Sequence, residues 1–144
     1  MISPKLRNFI YLLLAILVLV DLVLSTTCLL YPDTWFMRFH GVLYDNLDVE
    51  GLLKRTGALW VAFTLLQLIA MFRWTKEPWW LVLIAGVRLT ELFSDWTYLY
   101  VAHTITPFGK FGLFIAPPSN LIMGIFLVWA YKKIMRGGGG PVPS

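Results

Sequence analysis

Four apolar stretches of bilayer length dominate the chain: Phe9 to Leu30, Thr56 to Phe72, Trp79 to Ala102 and about Phe111 to Tyr131. Each has roughly the 17 to 25 residues with which an α-helix crosses about 30 Å of hydrocarbon. With 58% hydrophobic and only 14% charged residues over 144 positions, the composition is that of an integral membrane protein. The expected fold is all-α, a single transmembrane four-helix bundle over residues 1–136. Residues 137–144, GGGGPVPS after Arg136, read as a flexible Gly/Pro tail or an expression remnant. No length is left for a soluble catalytic domain, so function must sit in the bundle or in its longest loop.

The third stretch breaks the apolar pattern with Arg88, Glu91 and Asp95. On the insertion scale each ionisable group costs about 2.5 to 3.5 kcal/mol at a helix centre, so these three should turn inward toward partners or a cavity. At about 100° per residue all three fall on one stripe about 60° wide. That stripe is the first candidate site.

Orientation follows from Lys and Arg. Lys5, Arg7, Arg73, Lys76, Lys132, Lys133 and Arg136 fall on one side, against Arg38, Lys54, Arg55 and Lys110 on the other. The positive-inside rule then puts both termini in the cytoplasm and the first and third loops outside. The first stretch is too long for a signal-peptide core and contains Asp21, so it is expected to remain as an anchor. Cys28 is the only cysteine, which excludes an intrachain disulfide and a cysteine-based metal cluster.

The first outer loop, about Tyr31 to Arg55, is the one long connection. Tyr31-Pro32-Asp33 should end the first helix, and the aromatic run Thr34 to His40 suggests a short interfacial segment. Asp45, Asp48 and Glu50 make the rest acidic, with Asp48 as the expected N-cap of a helix running through Trp60 and Gln67 to Arg73. In the fourth stretch, Pro117-Pro118-Ser119-Asn120 allows a break, with Ser119 or Asn120 capping a second half-helix whose N-terminus could face Asp95 or an anionic ligand. An ordinary proline kink or a slightly shortened helix is the preferred reading.

Depth counting joins these helices. Asp21 lies about twelve residues into the first outward-running helix and Arg88 about nine into the third, so at 1.5 Å per residue they share a level. Thr64 and Gln67 can join them, and Asp95 lies about 10 Å further out. The result is a polar seam of Asp21, Gln67, Arg88 and Glu91 opening toward Asp95 and Asn120. One arginine stands against three carboxylates there, so a bound proton, a cation or a proton-donating ligand is expected to compensate. Three roles stay open: an interhelical network with Arg88 bridging Asp21 and Glu91, a ligand or lipid-headgroup site, and a proton or ion path.

Other chemistries lack a signature. His40 and His103 are both expected near the outer surface and have no metal-ligand spacing. There is no phosphate-cradling glycine loop, no nucleophile elbow and no basic aromatic patch for nucleic acid. The sequence names no cofactor.

The four-span pattern, Pro32 in the first outer turn, Arg55-Thr56-Gly57-Ala58 opening the second span and Gly86-Val87-Arg88 in the third resemble the DoxX-like superfamily of small membrane proteins. That resemblance implies a bacterial inner membrane and an accessory or ligand-binding role, since the family includes a subunit of a quinone-linked thiosulfate oxidoreductase. Glu91, Asp95 and the Pro117-Pro118 pair have no match in it. The leading expectation is therefore a protein that binds a small or lipophilic ligand, or serves as an accessory subunit of a membrane complex, through its buried Arg-carboxylate cluster. The alternative is a small proton- or ion-coupled transporter acting as an oligomer.

Overall fold

The computed structural model describes residues 3–44 and 46–137. The readings of Asp45 and of the tail after Gly137 fall outside the described residues. Five helices account for most of the rest: α1 (Pro4–Leu30), α2 (Pro32–His40), α3 (Leu47–Arg73), α4 (Trp80–Val101) and α5 (Pro107–Arg136). Three of them, α1, α3 and α5, are long and apolar enough to cross a membrane, and the chain is a membrane protein on that ground. The 22 residues of α4 are long enough, but Arg88, Glu91 and Asp95 all fall within it and set it apart.

Local chemistry places the helix starts. Ser3 caps α1 by accepting from the Leu6 amide at 3.3 Å, and Pro4 occupies the first turn, where a missing N–H costs nothing. Thr106 and Pro107 repeat the device at α5, the Thr106 hydroxyl accepting from the Gly109 amide at 3.1 Å. At α3 the cap is Asn46, whose side chain accepts from the Asp48 amide at 2.8 Å. This corrects the expectation for Asp48, which lies inside the first turn: Asn46 has the extended backbone of a cap (φ −122°, ψ 122°) and Asp48 does not. The aromatic segment is the helix α2, opened by Pro32 and separated from α1 by Tyr31 alone. Gly41 ends it with φ 70°, the left-handed geometry that favours glycine.

A second correction concerns Pro117 and Pro118. The helix does not break there, and neither Ser119 nor Asn120 begins a new one. Proline's fixed φ is helical, and its lack of an N–H leaves the carbonyls of Leu113 and Phe114 without their usual donors. Continuity is imposed by packing: Gly109, Leu113, Pro117, Asn120, Gly124, Leu127, Ala130 and Ile134 form one buried stripe at spacings of three and four. A break would throw half of that stripe out of register with α4.

The four long helices run alternately and form two close pairs, α1 along α3 and α4 along α5. Glycines set the approach within each pair. A Cβ on Gly57 would stand 2.9 Å from Cys28 Cβ and 3.3 Å from the Ser25 carbonyl oxygen, so α1 and α3 meet almost backbone to backbone. A Cβ on Gly124 would stand 3.1 Å from Leu89 Cγ on α4. Between the pairs the contacts run through long side chains instead. At the end where α1 begins and α5 ends these are apolar: Ile10, Leu14, Leu17, Ala70, Leu81, Ile84 and Leu127 form one buried cluster, edged by ring contacts such as Phe9 with Phe126 at 5.0 Å. At the opposite end Cys28, Trp35 and Leu53 form a smaller cluster beneath α2.

Candidate functional site

Asp21 sits in the buried stripe of α1, one turn beyond Leu17, and Gln67 in that of α3. Arg88 is the last buried residue of α4. These positions put three polar side chains at one level between the pairs, where the apolar cluster ends. The Arg88 guanidinium spans the gap: Nη2 donates to Asp21 Oδ2 at 2.6 Å and Nη1 to Glu91 Oε2 at 2.7 Å. Gln67 Nε2 donates to the same Asp21 oxygen at 2.7 Å. Asp21 and Arg88 are 1% and 3% exposed, so the ion pair is shielded from water and its Coulomb attraction is correspondingly strong. Removing either partner would strand a charge where it cannot be solvated.

Glu91, with its side chain 12% exposed, links the seam to α3, for Trp60 Nε1 donates to its Oε1 at 2.9 Å. Asp95, one turn further, has a weaker tie. Its Oδ2 meets Asn120 Nδ2 of α5 at 3.5 Å, and among the described residues it forms no salt bridge. Thus Asp21, Gln67, Arg88 and Glu91 form one bonded network, and Asp95 and Asn120 a second, looser pair beyond it. Arg88 bridges Asp21 and Glu91.

Two atoms of the network are unfilled. Arg88 Nε and Gln67 Oε1 are buried and have no hydrogen-bond partner among the described residues. Arg88 Nε is a donor and Gln67 Oε1 an acceptor. Thr64, expected in the layer, is buried there but donates its hydroxyl to the Trp60 carbonyl at 2.8 Å. Ser25, Thr90 and Thr97 likewise bond carbonyls of their own helices, which satisfies a hydroxyl without a partner helix.

Trp60 is the member that sequence reasoning missed. Its signal was present, since Trp60, Thr64 and Gln67 lie at i, i+4 and i+7 on one face of α3. His40 was also underread: half-buried at the end of α2, it bonds the Thr104 carbonyl and the Tyr98 hydroxyl, whereas His103 stays exposed. Among the described residues no three His, Cys, Asp or Glu side chains come together as a metal site. A groove of about 580 Å³ runs along α4 between Leu89, Thr90, Phe93, Ser94, Thr97 and Tyr98. At about 100° per residue those positions lie mainly on the face opposite Arg88, Glu91 and Asp95, so this groove is separate from the seam. In comparisons with protein-family models, curated proteins and solved structures, the chain matches none.

Proposed function

We propose that the protein is a four-span membrane protein with both termini cytoplasmic, which binds a small membrane-soluble ligand where the seam opens toward α2. Arg88, Asp21 and Gln67 would form the fixed base of that site, and Glu91, Asp95 and Asn120 would meet the ligand. The observation that carries the reading is that the seam has one closed end. On the side of the termini, Leu14, Leu17, Ile84 and Leu127 fill the space between the pairs. On the other side, Asp95 stands with a single long hydrogen bond. With one arginine against three carboxylates, a ligand carrying a donor or a positive charge complements the site, and an anion does not.

The same block of apolar side chains makes passage of protons or ions through one protomer the less well supported reading. An accessory role is favoured by a different observation. Beyond Arg88, α4 turns Phe93, Trp96 and Tyr100 outward at spacings of three and four, a ridge that a partner helix would cover. The DoxX-like resemblance agrees with either role and with a bacterial inner membrane.

Native mass spectrometry of protein extracted gently from its own membrane tests the proposal. The expected result is a stoichiometric small molecule that is lost in Asp95→Asn while the protein stays folded. A stable heteromeric complex with no small molecule would replace ligand binding by the accessory role. A bare homo-oligomer would overturn both and return transport to first place.

A further inference from the structure

Helix α2 lies across the open end of the seam and touches all four long helices. It packs on α1, α3 and α5 and reaches α4 through the bond between His40 and Tyr98. Trp35, the buried residue of α2, is stacked on Phe39 at 4.1 Å and stands 5.5 Å from the Trp60 ring. Trp60 in turn holds Glu91. The underside of α2 therefore rests on the residue that contacts the seam carboxylate.

The two ends of α2 are held in different ways. Its start follows α1 after Tyr31 alone, whose amide still bonds the Thr27 carbonyl at 3.0 Å, so it is tied to the first pair by the chain itself. Its far end is tied to the second pair by hydrogen bonds and by the ring contact of Phe39 with Phe108 at 5.5 Å, with no direct chain connection. The Thr106 amide donates to the Phe39 carbonyl at 2.8 Å, and the Thr106 hydroxyl donates to the Arg38 carbonyl at 2.5 Å. His40 Nδ1 donates to the Thr104 carbonyl at 2.5 Å. Because a carbonyl only accepts, the neutral ring carries its proton on Nδ1, and Nε2 accepts from the Tyr98 hydroxyl. Gly109 completes the fit, since a Cβ there would stand 2.8 Å from the Phe39 carbonyl oxygen.

We propose that α2 is a lid over the seam, hinged at Tyr31 and Gly41 and held shut by the catch of His40, Tyr98 and Thr106. Opening it exposes Glu91 and Asp95 to ligand entering from that end. As an account of access, this rests on the reading of the seam as a binding site. The lid's movement can be measured without any ligand, because Cys28 is the only cysteine and lies in the cluster beneath Trp35 at 0% exposure. Trp35 of α2 packs in that cluster beside Leu53 of α3, so lifting the cover should speed the reaction of Cys28 with N-ethylmaleimide.

The test compares Cys28 labelling rates in the full chain, in detergent and in vesicles. Tyr98→Phe removes one bond of the catch and keeps the ring, and Thr106→Val removes the side-chain bond to Arg38. Each should raise the labelling rate roughly fivefold to tenfold, and the double variant more, because each lost bond shifts the opening equilibrium. Ile134→Ala, a loosening change at the terminal end, should leave the rate unchanged. If Thr106→Val fails to fold, because that residue also caps α5, Tyr98→Phe alone decides. Unchanged labelling in Tyr98→Phe would overturn the lid, as would an equal rise in Ile134→Ala. Faster labelling in a protein that carries no molecule released by Asp95→Asn would leave the lid standing and remove the binding reading instead.

Discussion

The two ends of the molecule are built from the same four long helices, yet they are filled differently. Helix α4 contains the contrast within itself. Leu81, Ile84, Ala85 and Arg88 are buried, and from Arg88 to its end no further residue of this described helix is. Phe93 and Tyr100 are instead 69% and 92% exposed. Near the termini, side chains fill the space between the pairs, and the one orphan among the described polar atoms there is the Trp74 indole N–H. Toward α2 come the seam's carboxylates and amide, and then the smaller apolar cluster of Cys28, Trp35 and Leu53 under α2. The closed half supplies cohesion, and the open half has chemistry that a packed core would exclude.

The largest effect that would test this division comes from Arg88, which stands at the boundary. Arg88→Ala should destabilise the protein by about 3 to 5 kcal/mol, because it leaves buried Asp21 and Glu91 without their cation. Asp95→Asn, on the open side, should cost under about 1 kcal/mol, since it removes no ion pair and keeps a hydrogen-bonding group for Asn120. Unfolding followed by circular dichroism in detergent measures both. Equal losses would mean that the open half is as structural as the closed one.

Much of this arrangement could be read from residue spacing. Arg88, Glu91 and Asp95 share a stripe because the helical period is fixed, and Asp21 meets Arg88 at the level that counting from the helix starts assigns. Of the readings that Pro117-Pro118 left open, only the break is excluded: local chemistry allowed it, while a buried stripe of eight residues along α5 argued for continuity. Packing over the whole helix outweighed two missing amides. The α3 cap was misplaced by two residues because Asn46 and Asp48 are both competent caps, and only backbone geometry distinguishes them. The catch on α2 had no local signal at all, since His40 and Tyr98 are 58 positions apart.

The next effect concerns how closely the helices of a pair approach. Gly57→Ala would push against Cys28 Cβ at 2.9 Å and Leu29 Cγ at 3.0 Å, positions fixed by the α1 backbone or close to it. It should cost about 1 to 3 kcal/mol, the usual range for overpacking. Gly86→Ala, where nothing lies within 4 Å, should be neutral or stabilise by up to about 1 kcal/mol through helix propensity. Thermal midpoints in one detergent compare the two. A neutral Gly57→Ala would show that the pairs slide as easily as the seam opens, and the contrast between rigid pairs and an adjustable seam would be lost.

The smallest effect lies outside the apolar spans, where the connection after α2 meets the first turn of α3. Lys54 bonds Glu50 at 2.5 Å and holds that carboxyl below its ordinary 4.5, while burial and then the hydrogen bond to Glu50 push the Tyr44 phenol from 10.0 up to about 12. The signs are opposite. Glu50's contribution is present above pH 4.5 and is lost as pH falls through its lower folded value; Tyr44's is present below pH 10.0 and is lost as pH rises through about 12. The connection should therefore hold from mildly acidic to moderately alkaline pH, with no measurable change in the closed half over that span. Phenolate absorbance of the protein minus that of Tyr44→Phe gives the Tyr44 titration directly. Glu50→Gln should bring its midpoint down only part of the way toward 10.0, because burial is the larger cause and remains. A midpoint that falls the whole way would mean that Tyr44 is held by Glu50 alone, and that this side of the lid is anchored by one half-buried carboxylate.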